Sequence, residues 1–203
     1  MKIICIGRNY IDHAKELNNP VPKKPMFFMK PDTALVENNA PFNYPQHSED
    51  VHFEAEIVLK ICKSGNHISE EFAHTYFQEL TIGIDFTARD LQNECKSKGH
   101  PWEIAKAFDQ SAPIGKFINK DSLSNQNSIN FSLIINGEER QTGNSGDMIF
   151  SFSRIISYIS NFITFKEGDL IFTGTPAGVG SIVIHDQLEC YLEGVKLLDF
   201  SVV

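Results

Sequence analysis

Val51–Cys62 constrains what this chain can fold into more than any other segment. His52, Glu54 and Glu56 alternate with Phe53, Ala55 and Ile57, the period of two that a β-strand imposes on its faces. The residues around the acids are strongly apolar, so the strand is expected near a core. Glu54 and Glu56 then share one face, about 7 Å apart from the rise of a strand. An E-x-E pair in isolation equally suits a solvated strand face. Here the apolar flanks favour burial, and buried carboxylates need partners, of which a cation is the most economical. Asp85 is a third acid, inside the apolar run Thr81–Phe86. Three oxygen ligands with room for water and substrate would make a shell for Mg²⁺ or Mn²⁺. His52 lies on the same expected face and would neighbour that shell.

The remaining pattern is strand-rich. Strands are expected over Lys2–Ile6, Met26–Met29, Leu80–Phe86, Asn130–Ile135, Leu170–Thr173 and Ile182–Ile184. Leu188–Leu192 and Val195–Val203 read as a last hairpin, and Asn136-Gly137 is a strong hairpin-turn signal. Helices are expected over Asn9–Leu17, Ser69–Gln78 with Ser69 as N-cap, Thr87–Lys98, and Asp147–Phe162. Strands and helices do not alternate regularly, which argues for an α+β or mainly-β fold over a doubly wound sheet. The 203 residues suit one domain over 1–203.

Charge and cysteines exclude several classes. The net charge is −8 and no basic stripe is present, so no nucleic-acid partner is expected. An anionic substrate would need local positive charge. Cys5, Cys62, Cys95 and Cys190 form no C-x-x-C pair, and read as reduced thiols. Apolar stretches fall short of the roughly 18–20 residues of a membrane span, so no membrane is expected. The chain has no G-x-S-x-G. The glycine-rich turn at 174–180 lacks nucleotide-binding spacing and a Walker lysine.

Other residues could carry chemistry beside the acids. His13 and Glu16 would be i, i+3 neighbours on a helix, either a general-base pair or a surface pair. Arg89 and Gln92 would share a helix face, to recognise a carboxylate or keto oxygen or simply to meet solvent. Lys106 lies in an apolar context, where its ammonium could snorkel to water or neutralise a buried anion. Thr175 offers a hydroxyl in an otherwise ordinary tight turn.

In order along the chain, these segments resemble the fumarylacetoacetate hydrolase family. The likeness rests on Gly7-Arg8-Asn9-Tyr10 with His13 and Glu16, Phe28-Met29-Lys30-Pro31, Glu54-x-Glu56, and Asp85 through Gln92. Lys98-Gly99-His100-Pro101-Trp102 with Lys106, Asn136-Gly137-Glu138, Gly168-Asp169 and Thr173 through Gly180 continue it. Each motif is weak alone, and the ordered set is highly specific. The small single-domain acylpyruvase and oxaloacetate decarboxylase branch is most similar.

That resemblance implies a mixed β-roll with peripheral helices, usually a homodimer, and Mg²⁺ or Mn²⁺ held by Glu54, Glu56 and Asp85. It implies His13 and Glu16 as a catalytic dyad on a lid over residues 9–18, with Lys106 offsetting charge. It places Arg8, Tyr10, Arg89, Gln92 and Thr175 at substrate-binding positions. The substrate would be a small 2-keto acid. The expected reaction is carbon–carbon cleavage, either hydrolysis of an acylpyruvate through the pyruvate enolate or decarboxylation of oxaloacetate. Alternatives are an isomerase or tautomerase of 2-hydroxy-dienoate or enol-oxaloacetate substrates, and a non-catalytic metal and keto-acid binding protein. The N-terminus begins directly at the strand before Gly7, and a bacterial cytosolic enzyme is expected.

Overall fold

The computed structural model describes residues 1–16 and 20–203. The chain runs β1 (Ile3–Gly7), α1 (Ile11–Glu16), β2 (Met26–Lys30), β3 (Leu35–Val36), β4 (Val51–Phe53) and β5 (Ala55–Ile61). It continues with α2 (Glu70–Ala73), β6 (Phe77–Ile84), β7 (Thr87–Ala88), α3 (Arg89–Lys98), α4 (Glu103–Lys106), β8 (Ala112–Pro113) and β9 (Ile118–Asn119). The last third holds β10 (Asn130–Ile135), β11 (Glu138–Asn144), α5 (Phe152–Ser160), β12 (Leu170–Phe172), β13 (Gly180–Ser181), β14 (Gln187–Leu192) and β15 (Val195–Ser201). The expected lid at 9–18 is described only as far as Glu16; its last two positions lie outside the described residues. No helix is long and apolar enough to cross a membrane among the described residues.

A six-stranded mixed sheet in the order β2-β1-β12-β5-β6-β9 carries the site. Only β1 and β12 pair in parallel within it; the other pairs are antiparallel. Its two faces pack against different apolar sets. Ile57, Leu59, Leu80 and Ile82 point into the larger core, with residues of β10, β14, β15 and α5. Ile3, Cys5, Val58 and Phe172 point into a smaller core with Ala112 and Ile114. Burial on both faces explains why β5 reads as a near-continuous apolar run. A four-stranded antiparallel sheet, β11-β10-β14-β15, completes the larger core. Its first hairpin turns at Asn136 and Gly137, whose φ values of 53° and 82° are the left-handed pair of a type I′ turn.

Several expected boundaries shift; Thr87 and Ala88, expected to open a helix, form β7, and α3 begins at Arg89. Val51–Cys62 is two strands, because the chain leaves one sheet and joins another at Glu54. β4 pairs with β7 and β13, while β5 joins the six-stranded sheet. His52 Nε2 lies 3.0 Å from Asp50 Oδ1, and Arg89 and Glu54 both act on its imidazole from nearby. Ser69–Gln78 holds only the short α2 and one 3₁₀ turn, since Phe77 and Gln78 belong to β6. Asp147–Phe162 becomes helical only at Phe152. Ser151 caps it by accepting from Arg154 N, and the segment before it pairs with Asn9 and Tyr10. Ile182–Ile184 is not a strand; the pairing falls one step earlier, at Gly180–Ser181.

Candidate metal centre and active site

The break between β4 and β5 builds the site. Glu54 sits in the break, with its carbonyl accepting from Asp85 N at 2.8 Å. Glu56 projects from β5, and Asp85 follows the end of β6. All three carboxylates are buried, and one oxygen from each lies within 4.8 Å of the others. The expected triad is thus assembled from three positions that only the tertiary fold brings together.

Cations surround two of the three acids. Lys106 Nζ donates to Glu54 Oε2 at 2.8 Å and to Asp85 Oδ2 at 2.7 Å. Arg89 Nη2 donates to Glu54 Oε1 at 2.6 Å. Burial alone would push the Glu54 carboxyl up, but Lys106, Arg89 and His13 outweigh it and hold it well below the usual carboxylate range. Glu56 differs. It makes no ion pair among the described residues, and its Oε2 accepts from Gly174 N at 2.7 Å. Burial, then Asp85 and Glu54, push its carboxyl well above the usual range.

These residues fit a divalent cation. The donor set is all oxygen, as Mg²⁺ and Mn²⁺ prefer. Glu56 is a buried acid without a cationic partner, and Asp85 Oδ1 has no well-directed hydrogen-bond donor. Lys106, whose ammonium bridges two of the acids, marks where positive charge is stabilised. The Lys106 ammonium therefore neutralises buried anions instead of reaching water; only 2 % of the residue is exposed.

One buried lysine, within the Phe28–Pro31 motif, was given no role of its own. Lys30 Nζ sits 2.9 Å from Asp85 Oδ1. It donates to Phe86 O, Ser111 O and Ser111 Oγ at 3.1, 3.0 and 2.9 Å, and to Lys106 O. A lysine beside Pro31 at a strand end carries no local signal for this role.

Around the acids lies a cleft lined by Arg8, His13, Arg89, Gln92, Lys106 and Thr175 among others. His13 Nδ1 is 3.3 Å from Glu16 Oε2, and Glu16 Oε1 accepts from Gly178 N at 3.1 Å. Arg89 Nη1 donates to Gln92 Oε1 at 2.7 Å, confirming their shared helix face, and Arg89 Nε is buried without a partner. Thr175 Oγ1 accepts from Gln141 Nε2 at 2.8 Å, and Gln141 Oε1 accepts from Ala55 N. Gln141 thereby ties the glycine-rich turn to the start of β5, a role no sequence pattern announces. Tyr10 does not line this cleft. Its ring packs edge-on against Phe131 at 6.3 Å, and it borders a neighbouring depression.

Asn9 fastens the turn that carries Arg8 and α1. Its side chain accepts from Phe150 N at 2.8 Å and donates to Phe150 O and Thr173 O at 3.1 and 2.8 Å. Gly174, at φ 101°, is the only residue type that fits beneath it; a Cβ there would lie 2.6 Å from Asn9 Cβ. Asn9→Ala strands three buried backbone groups, so urea unfolding is expected to show a loss of about 2 kcal/mol. A loss below about 0.5 kcal/mol, the scale of a neutral surface change, would remove Asn9 as the fastening point.

A strand-rich α+β fold buries three convergent carboxylates beneath a cleft, a cluster that could hold a divalent cation on a mixed β-scaffold. The chain belongs to the fumarylacetoacetate hydrolase family: the model "Fumarylacetoacetate (FAA) hydrolase C-terminal" matches residues 2–203. It is 42% identical over 200 residues to the mitochondrial oxaloacetate tautomerase FAHD1 of Mus musculus, covering 98% of this chain and 90% of that protein. It is 39% identical over 204 residues to the mitochondrial oxaloacetate decarboxylase of Dictyostelium discoideum, covering 100% and 94%. Among solved structures, a fumarylpyruvate hydrolase from Pseudomonas aeruginosa in complex with Mn²⁺ and pyruvate superposes with a TM-score of 0.94. The identity is 37%, with coverage of 100% of this chain and 89% of the other. The fold expected from the resemblance is therefore the observed one.

Proposed function

We propose that this protein is a divalent-metal-dependent enzyme that cleaves a carbon–carbon bond in a small 2-keto acid, with acylpyruvate hydrolysis as its reaction. The observation that carries this reading is the closeness of two unlike devices. A buried three-carboxylate site shares a cleft with His13, and Glu16 stands at the imidazole. A pure binding site has no use for that dyad.

When bound, a divalent cation supplies a Lewis acid that lowers the cost of negative charge on the 2-keto oxygen. The side chains do the rest. Arg89 Nε and the Gln92 amide orient the substrate carboxylate. His13 takes a proton from water, and Glu16, held by the Gly178 N–H, stabilises the resulting imidazolium. The hydroxide adds to the distal acyl carbonyl. The bond from that carbon to C3 of the pyruvate portion then breaks, its electron pair staying with the pyruvate enolate. Protonation of C3 gives pyruvate, and the acyl group leaves as a carboxylate. Lys106 offsets the charge that the acids and the substrate bring together.

A second reading is tautomerisation of oxaloacetate, favoured by the 42% identity to a protein of that name. It uses the same acids and needs a proton carrier but no attacking water. Loss of acetylpyruvate followed by ultraviolet absorbance, with Mg²⁺ and with excess EDTA, separates the two. Metal-dependent release of acetate and pyruvate supports hydrolysis. No loss, with enol-oxaloacetate converting rapidly, would transfer the assignment to the tautomerase reading. Glu16→Ala is expected to reduce acetylpyruvate hydrolysis by about 100-fold, the low end of a general-base contribution. Mg²⁺ should still raise the thermal midpoint of that variant; loss of the Mg²⁺ response would show Glu16 to be part of the metal shell instead.

A further inference from the structure

The glycine-rich turn gives the site three unlike contacts. Gly174 N donates to Glu56, Thr175 lines the cleft, and Gly178 N donates to Glu16. Residues 173–179 form neither helix nor strand, so their shape is set from outside. The neighbouring strand β11 sets it. Gly178, at φ 97°, lies so close to that strand that a Cβ would fall 2.6 Å from Arg140 O. From the next position Gln141 reaches the turn with its side chain, and only 2 % of the residue is exposed.

The Gln141 amide is fully engaged. Its Oε1 accepts from Ala55 N at 2.9 Å, and its Nε2 donates to Pro176 O at 3.0 Å and to Thr175 Oγ1 at 2.8 Å. The two ends of a glutamine amide have nearly the same shape, so partners must decide which way it faces. Here both are backbone groups of fixed character: Ala55 N only donates and Pro176 O only accepts. The end that meets Thr175 is therefore the NH₂. A threonine hydroxyl has one hydrogen and two lone pairs. Gln141 occupies a lone pair, and Thr175 Oγ1 makes no other hydrogen bond among the described residues. Its hydrogen is left for the cleft that Thr175 shares with Glu54, Glu56 and Asp85.

We propose that Gln141 is a positioning residue for the reaction: it holds the Thr175 hydroxyl as a donor toward the cleft, where the hydrogen meets an anionic oxygen of the substrate. This rests on the 2-keto-acid reading above and deepens it. Gln141 does not line the cleft and acts only through Thr175. A donor held in place beforehand needs no reorientation as negative charge develops on the substrate, which is where fixed dipoles contribute most.

A double-variant cycle tests this, read as kcat/KM for acetylpyruvate with saturating Mg²⁺, or for enol-oxaloacetate if that is the substrate turned over. Thr175→Val removes the hydroxyl at nearly constant shape and is expected to cost about 10- to 100-fold, as for a lost hydrogen bond to a charged group. Thr175→Ser, which keeps the hydroxyl, should restore most of that loss. Gln141→Met removes the amide without adding charge and should cost about fivefold, the scale of an ordinary hydrogen bond. In the Thr175→Val background the same change should cost almost nothing further, because the group it orients is gone. The Mg²⁺-induced rise in melting temperature should match the wild type in every variant. A merely structural Gln141 gives a different result: displacing the turn moves Gly174 N from Glu56, so the losses multiply and the Mg²⁺ response shrinks. Multiplying losses, or wild-type kcat/KM in Thr175→Val, would overturn the assignment while the keto-acid reading stands; the second outcome is decisive even if Gln141→Met does not fold. If the wild type converts neither acetylpyruvate nor enol-oxaloacetate, the keto-acid reading itself falls, and the inference with it.

Discussion

Replacing Lys30 by methionine is expected to cost about 3–5 kcal/mol of folding stability, the range for breaking a buried ion pair from one side. The reason lies in what the ammonium leaves behind. Its side chain is fully buried, 2.9 Å from Asp85 Oδ1, and it serves the carbonyls of Phe86, Lys106 and Ser111. Methionine fills much of the same space, so cavity formation contributes little. The loss comes from an acid and three carbonyls deprived of a donor in a dry interior. Set against a typical domain stability of about 5–15 kcal/mol, this would bring the protein close to unfolding at ambient temperature. Urea denaturation followed by far-ultraviolet dichroism measures it. The double variant Lys30→Met with Asp85→Asn should recover part of the loss, because the unpaired charge is then absent. A single variant with a wild-type midpoint would mean that Lys106 alone stabilises Asp85.

How much of this was legible in the sequence depends on how local each signal is. The acid triad was legible because strand alternation and apolar flanks mark unusual carboxylates wherever the strand finally lies. The same alternation assumes one continuous strand, whereas the chain changes sheets at Glu54. Arg89 and Gln92 were legible as one helix face, and they hydrogen-bond to each other. Lys30, Asn9 and Gln141 were not given roles. Their partners lie 34 to 164 residues away along the chain, and a single polar residue has no period to betray it. The overrun of the last helix had a local remedy. Ser151 is a good capping residue three positions before Arg154, and its capping bond marks the true start. What no pattern within the segment supplies is the pairing of Met148 and Ile149 with Tyr10 and Asn9, which holds the preceding residues extended.

Glu56→Gln is expected to act with opposite signs in the presence and absence of metal. Without metal, Glu56 is a buried acid with no cationic partner among the described residues, flanked by Asp85 and Glu54. An amide of the same shape removes that unfavourable proximity and can still accept from Gly174 N. Metal-free Glu56→Gln should therefore unfold at the wild-type temperature or above it. With saturating Mg²⁺ the order reverses. A ligand that binds only the folded state stabilises by about 2.7 kcal/mol at 100 times its dissociation constant. Loss of an anionic ligand should weaken that constant by at least about 100-fold, since even an outer-shell partner can be worth 10- to 100-fold. Nearly all of the Mg²⁺-induced rise in melting temperature should then disappear at the same ion concentration. Asp85→Asn separates the two effects, because Asp85 is also paired with Lys30 and Lys106. It should lose the Mg²⁺ response and be less stable without metal as well. If Mg²⁺ raised the melting temperature of Glu56→Gln as far as that of the wild type, the cation would have to bind elsewhere. The three carboxylates would then be a structural ion-pair cluster, a role in which an unpaired Glu56 has no evident use.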